Sequence, residues 1–363
     1  MKTPSFPHWP TALDVRWEPR RPYAGILNLK SCELQHPEAD RLVLEAAARL
    51  SAADLRSYPH QDVILNLLAN YHGVSPGYVM LTAGSDGAVG LLVDALARPA
   101  GRLVLAEPNF EGWRHYAGLR GVPVTAVTTL SGTPPVGDLT PLADAMAAAR
   151  GSAVVSIANP GSPSGLVTDS AEVYRLAELA ERHGHLLVVD ECFGEFVDVT
   201  HAPLLERFDH LVIIHSYSKT FALAGVRIAA VLACPELLDY LTRFRPDSAV
   251  SATGVAMLTQ MIGHADRFRE VWRDVRLIRG HFVAAVLSAH PTWSVLDPGG
   301  NFATFSTGRP EIPPALVRHL AEQRIRIRSL TDLPGLRGCV RFSLASDANM
   351  HTVAAQVAAF HPP

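Results

Sequence analysis

The chain is short of cysteine. Its four residues, Cys32, Cys192, Cys234 and Cys339, are scattered over 363 positions with no Cys-x-x-Cys pair. That spacing argues against a disulfide framework and against a zinc site, and it suits a reducing compartment. Long apolar runs are missing too. None nears the 18 residues of a membrane-spanning helix, and the stretch after Met1 has no apolar signal-peptide core. A soluble, cytoplasmic protein that does not engage a membrane is therefore expected. Charge of one sign is also absent: 32 Lys+Arg stand against 35 Asp+Glu, a net of −3. No bulk field draws the protein to nucleic acid, and no nucleic-acid partner is expected. The 16 histidines form no His-x-x-x-His pair, and His60, His72, His115 and His215 read as isolated surface or structural residues, so a metal enzyme is not expected.

What is present is apolar material. Hydrophobic residues make up 48% and charged residues 18%, enough for a large core and wrong for a disordered chain. At roughly 100–200 residues per domain the length allows two or three domains. The middle of the chain repeats a short apolar run, a turn and a helical period. Strands are expected at Leu103–Ala106, Val122–Val127, Ala153–Ala158, Leu186–Asp190, Leu211–His215 and Ile228–Ala233. Most are continuously apolar, as in a parallel sheet covered on both faces. Helices are expected over Val89–Leu96, Leu142–Arg150 and Ala171–His183, the last capped by Asp169 or Ser170 and stopped by Gly184. The pattern defines an α/β domain over 39–246. Residues 1–38 read as a Pro- and Arg-rich arm. Residues 247–363 read as a smaller α+β domain, with a long helical region (Ser251–Ala289), strands at Asn301–Ser306, Arg324–Arg328 and Val340–Leu344, and a helix at Ala315–Gln323.

Ligands of open α/β sheets bind beyond the carboxyl ends of the strands. Here those ends deliver Glu107-Pro108-Asn109-Phe110, Asn159-Pro160-Gly161, Asp190-Glu191 and His215-Ser216-Tyr217-Ser218-Lys219. Taken singly these are a turn, a helix cap and a solvated lysine. Together, an aromatic, an amide, a carboxylate and a lysine on one edge are the equipment for binding pyridoxal 5′-phosphate. The lysine amine forms a Schiff base, the carboxylate keeps the pyridinium nitrogen protonated, the amide takes the ring hydroxyl and the aromatic stacks on the ring. Gly84-Ser85-Asp86-Gly87 precedes a helix and offers backbone N–H groups to a phosphate, with Ser216, Ser218 and Arg227 as further contacts.

Two stretches carry a resemblance. Asn159-Pro160-Gly161-Ser162-Pro163-Ser164-Gly165 resembles the Asn-Pro-Asn-Asn-Pro-Thr-Gly signature of fold-type I aminotransferases, and Ser216 to Arg227 looks like their lysine motif. The likeness runs almost the whole chain and is strongest to histidinol-phosphate aminotransferase and threonine-phosphate decarboxylase. It implies a PLP-dependent transferase fold of type I: a large domain with a mostly parallel central sheet plus a small α+β domain. It implies Lys219 as Schiff-base lysine and proton shuttle, with Asp190 on the pyridinium nitrogen, Asn159 on the ring hydroxyl and Phe110 on the ring face. Ser85, Asp86, Ser216, Ser218 and Arg227 would hold the phosphate. Tyr58 would reach the cofactor of a second subunit in a homodimer, and Arg341, assisted by Arg328, would grip an anionic group of a small amino-acid substrate.

Three departures bear on the reaction. Phe193 stands where these aminotransferases usually carry Tyr, as in threonine-phosphate decarboxylases. Lys30-Ser31-Cys32-Glu33-Leu34 replaces the usual Asn-Glu-Asn-Pro, and His215 replaces the Arg before the lysine loop. The expected activity is transfer of an amino group from an amino acid, or an amino-alcohol phosphate, to a 2-oxo acid in specialised amino-acid metabolism. Decarboxylase, cyclase or lyase chemistry on the same fold is the alternative. A regulator built on this fold would carry an added DNA-binding domain, and no basic extension is present.

Overall fold

The computed structural model describes residues 24–362. The first part of the expected arm lies outside the described residues. In chain order the strands are β1 (Leu27–Asn28), β2 (Val79–Thr82), β3 (Leu103–Glu107), β4 (Val124–Thr128), β5 (Leu130–Ser131), β6 (Val136–Gly137), β7 (Val154–Ala158), β8 (Leu186–Asp190), β9 (Leu211–Ser216) and β10 (Ala229–Leu232), then β11 (Ser294–Val295), β12 (Phe302–Ser306), β13 (Ile325–Arg326), β14 (Arg328–Ser329) and β15 (Cys339–Ser343).

A seven-stranded sheet runs in the order β2-β10-β9-β8-β7-β3-β4. From β9 to β4 every neighbour is parallel, so the carboxyl ends of β3, β7, β8 and β9 meet on one edge. The apolar runs form strands because helices cover both faces. β3 and β9 are buried at every position, while edge strand β4 is largely exposed. The helix Ser170–His183 shows the local logic. The Asp169 side chain accepts from the Ala171 N–H, Val173, Leu176, Ala177, Leu179 and Ala180 face the core, and Gly184 closes the end with φ +68°. Burying a leucine such as Leu176 contributes about 2 kcal/mol.

β10 is antiparallel to both β9 and β2. The connection from Ser216 to Ala229 carries only the four-residue helix Tyr217–Thr220, too little to return the chain across the sheet for a parallel strand. β2, absent from the sequence reading, is the short outer strand of this sheet, and its end at Thr82 lies on the same edge as Ser216 because both pair with Ala229.

The expected strand Arg324–Arg328 divides. Ile325–Arg326 pairs with Leu27–Asn28, which ties in the start of the described chain, and Arg328–Ser329 joins a four-stranded sheet of order β11-β12-β15-β14. The long helical region also divides, at Gly263-His264, into Ala252–Ile262 and Ala265–Ala289. The second helix connects the sheets. Phe268 and Trp272 pack on Phe221 beside the large sheet, while Phe282 packs on Phe305 and Phe342 of the small one. The Trp272 indole N–H donates to the Thr220 carbonyl at 2.7 Å, one residue past Lys219. Among the described residues no helix is long and apolar enough to cross a membrane.

Candidate active site

Lys219 lies in the short helix that follows β9, whose cap is Ser216 accepting from the Ser218 N–H. Its Nζ donates to the Ser31 carbonyl at 2.7 Å. Burial pulls its pKa below that of an ordinary lysine, against the opposing pull of Cys32 and Glu33. Asp190 ends β8, and its Oδ1 accepts from the Cys192 N–H at 2.9 Å. Burial pushes its carboxyl pKa up, although the hydrogen bonds from Cys192 oppose the shift. Asn159 follows β7 and is fully buried. Its backbone N–H donates to the Asp190 carbonyl at 2.9 Å. Its side chain clasps Thr168, with Oδ1 accepting from the backbone N–H at 2.9 Å and Nδ2 donating to the carbonyl at 3.0 Å. A primary amide has two N–H donors, so one is left over.

Phe110 leaves β3 through a turn in which Asn109 Oδ1 accepts from the Phe110 N–H at 2.7 Å. The ring lies over Gly112, where a Cβ would come within 2.3 Å of Phe110 Cε1; only glycine fits beneath it. Gly84 starts the helix Gly84–Leu92 at φ +72°, and a Cβ there would meet Arg227 Nη2 at 2.8 Å. Arg227 itself holds φ +60°, a strained conformation for a residue with a side chain. Its Nη2 binds Asp86 Oδ2 at 2.6 Å. Asp86 thus orients the arginine; a carboxylate cannot hydrogen-bond a phosphate anion, so toward an anion it offers only its backbone N–H.

The opposite wall comes from the small sheet and the segment before the first helix. Arg341 on β15 is buried at 4% exposure, and burial pulls its guanidinium pKa down. Its Nη2 donates to the Lys30 carbonyl at 2.6 Å, and its guanidinium carbon lies 5.3 Å from the Phe302 ring centre. Its Nε has no hydrogen-bond partner among the described residues. Phe302 in turn meets Phe193 edge-on at 5.3 Å. Three successive carbonyls, of Lys30, Ser31 and Cys32, accept from Arg341, Lys219 and Asn301, and the Cys32 N–H donates to Ser343 Oγ at 2.8 Å. Residues 30–32 are therefore a strap between the lysine and the small sheet. The sequence marks residues 30–34 as a departure from the family pattern, but not their bonding, because backbone carbonyls carry no residue signature. Arg328, the expected assistant of Arg341, is paired with Glu111 at 2.5 Å.

Tyr58 sits apart from this edge. It is 82% exposed, beside exposed Leu55 and Val63, on an open groove of about 430 Å³ that reaches Val255 and Gln260. His215 and His72, read from the sequence as isolated, are buried together with ring centres 4.5 Å apart. His215 Nε2 lies 2.5 Å from Glu195 Oε1, which also accepts from the Tyr71 hydroxyl at 3.1 Å. Burial alone would lower the His215 pKa, but Glu195, aided by Glu191 and Asp190, raises it. Glu191, next to Asp190, accepts from the Thr200 hydroxyl and from the backbone N–H and Nδ1 of His201, pinning the turn that carries Asp190.

The lysine-bearing strand edge and its facing arginine define a family. The chain belongs to the aminotransferase class I and II family, whose model matches residues 24–357. It is a fold-type I, pyridoxal 5′-phosphate-dependent aminotransferase. It is 30% identical over 331 residues to the histidinol-phosphate aminotransferase of Chromobacterium violaceum, with 89% of this chain and 88% of that one covered. To the histidinol-phosphate aminotransferase of Deinococcus radiodurans it is 27% identical over 351 residues, 95% of each chain. A crystal structure of histidinol-phosphate aminotransferase from Sinorhizobium meliloti, in complex with pyridoxal-5′-phosphate, matches with a TM-score of 0.78 at 23% identity, covering 92% of this chain and 90% of that one.

Proposed function

We propose that this enzyme moves an amino group from an amino acid to a 2-oxo acid, with Lys219 as the residue that carries the cofactor and shuttles the proton. The observation that carries this reading is the desolvated Lys219 amine on the same carboxyl edge of the sheet that delivers Asp190 and Asn159. The residues fit pyridoxal 5′-phosphate on their own chemistry. Asp190 is a buried carboxylate whose raised pKa marks it as short of a cation, which a pyridinium N–H supplies. The spare Nδ2 hydrogen of Asn159 suits the ring hydroxyl, and Phe110 suits the ring face. The bare backbone at Gly84 admits the Arg227 guanidinium to the helix start, where Ser85, the Asp86 N–H, Ser216 and Ser218 would join it in holding a phosphate.

When bound, the cofactor supplies an electron sink that acidifies the substrate Cα–H. The chain's own residues do the rest. Lys219, its pKa lowered by burial, would take the substrate Cα proton and redeliver it across the intervening nitrogen, a 1,3-shift. The unpartnered Nε of Arg341 holds the substrate's anionic group, and the Phe302 face keeps the guanidinium in place. The strap at residues 30–32 ties the lysine to the small sheet through its carbonyls.

Phe193 favours a second reading, decarboxylation: it matches the residue of threonine-phosphate decarboxylases, and its ring, edge-on to Phe302, leaves an apolar surface where the aminotransferases carry a hydroxyl. Incubation of the cofactor-loaded enzyme with single amino acids separates the two: a 2-oxo acid product supports transamination, and released carbon dioxide supports decarboxylation.

The same proposal includes a homodimer in which Tyr58 reaches the second subunit's site. Its support is the cluster of exposed Leu55, Tyr58 and Val63, with Tyr58 and Val63 on the open groove that a second copy would cover. Sedimentation showing a monomer at micromolar concentration would refute it. A cytoplasmic location is proposed on the strength of the four free cysteines.

A further inference from the structure

Glu111 stands one residue past Phe110, on the helix side of the ring-stacking turn, and its side chain is 46% exposed. Its Oε1 is 2.5 Å from Arg328 Nη2. Arg328 is in direct register with Arg341 across β14 and β15, so both side chains rise from the same face of the small sheet. The pocket wall thus contains two arginines and one carboxylate. The carboxylate cancels one arginine, and the other keeps an unpartnered donor. Arg328 further lowers the guanidinium pKa of Arg341, while Glu111 raises it, so both charges reach the position where a ligand anion would bind.

We propose that Glu111 sets the charge selectivity of the substrate pocket: by neutralising Arg328 it leaves Arg341 to bind a single negative charge, so the enzyme takes α-amino monocarboxylates and rejects amines carrying a phosphomonoester. This rests on the reading of the Arg328–Arg341 wall as the substrate side, made above. The physical ground is Coulomb's law. Two free arginines match a dianion, whereas one arginine beside a closed ion pair matches a monoanion and presents a carboxylate to any second charge. Interaction energy scales with the product of charges, so removing Glu111 helps a dianion about twice as much, in free energy, as it helps a monoanion.

The test compares inorganic phosphate with acetate, each titrated calorimetrically into the cofactor-loaded enzyme at about pH 8, where phosphate is dianionic. Loading fills the cofactor's own phosphate cup, so the probes report the substrate pocket. The wild type is expected to bind acetate at least as tightly as phosphate. E111Q, at a half-exposed position where folding is not at stake, is expected to tighten phosphate about tenfold and acetate about threefold. R341Q is expected to abolish both. A wild type that prefers phosphate tenfold, an E111Q variant that shifts both anions equally, or binding that survives R341Q overturns the proposal. Failure of the aminotransferase reading is distinguishable: protein that takes up no cofactor refutes that reading, while the part of each anion's binding that R341Q removes still orders phosphate and acetate at this wall on the protein as purified.

Discussion

The two walls of the active site are built in opposite ways. On the large-sheet wall most functional side chains follow their own strands and have a local bond: Ser216 caps the lysine helix, Cys192 supports Asp190, and Thr168 clasps Asn159, while the Lys219 amine itself reaches across to Ser31. On the facing wall the contributors come from residues 30–32, 111, 301, 328 and 341, and they hold one another across more than 300 positions, as in the bond from Arg341 to the Lys30 carbonyl. The first wall is stiff and local, and it fixes the chemistry. The second is assembled by tertiary folding, so its charge pattern is set by pairs such as Arg328–Glu111 rather than by any one strand end.

The largest expected effect breaks the first wall. Lys219→Ala removes both the cofactor attachment and the proton shuttle, and kcat should fall by at least ~10⁴-fold together with the visible absorption of lysine-bound cofactor. An undiminished visible band in the purified variant would sink the assignment. Next comes the second wall. Arg341→Gln removes a charged donor from a buried site and should lower kcat/KM by roughly 100-fold, mostly through KM, with the cofactor spectrum unchanged. If the spectrum changes instead, the two walls are not separable in the way described.

The smallest effect lies behind the first wall. His215 is faced by Glu195, Glu191, Asp190, Tyr71, Tyr217 and His72, and its pKa is raised in the folded protein. A raised folded pKa means that the imidazolium contributes stability fully below the unfolded value near 6.5 and that the contribution fades as pH rises through the folded value. Glu195→Gln should therefore cost roughly 2 kcal/mol at pH 6 and progressively less at alkaline pH, read as the gap between the two melting curves. A gap that widens with pH would reverse the assignment of the proton.

The same contrast explains what the sequence made legible. Continuous apolar runs ending in Asp190, Asn159 and the Ser216–Lys219 loop disclosed the sheet and its carboxyl edge, because a strand and the residue after it are neighbours in the chain. Residues 30–34 stood out as a departure from the family pattern, but their role as a strap was hidden because it works through main-chain carbonyls. Glu111 was hidden because its meaning depends on Arg328, far along the chain. His215 was misread as isolated for a similar reason: its partner Glu195 comes from a turn after a different strand. The division of Arg324–Arg328 between two pairings depends on where β1 and β15 arrive, which no local pattern records.

The most direct test of the account is a single turnover. The cofactor-loaded enzyme is mixed with a neutral amino acid in the absence of a 2-oxo acid acceptor, and the products are counted per active site. The account predicts one equivalent of 2-oxo acid, the amino group retained on the cofactor, and no carbon dioxide. Release of carbon dioxide without 2-oxo acid would contradict it.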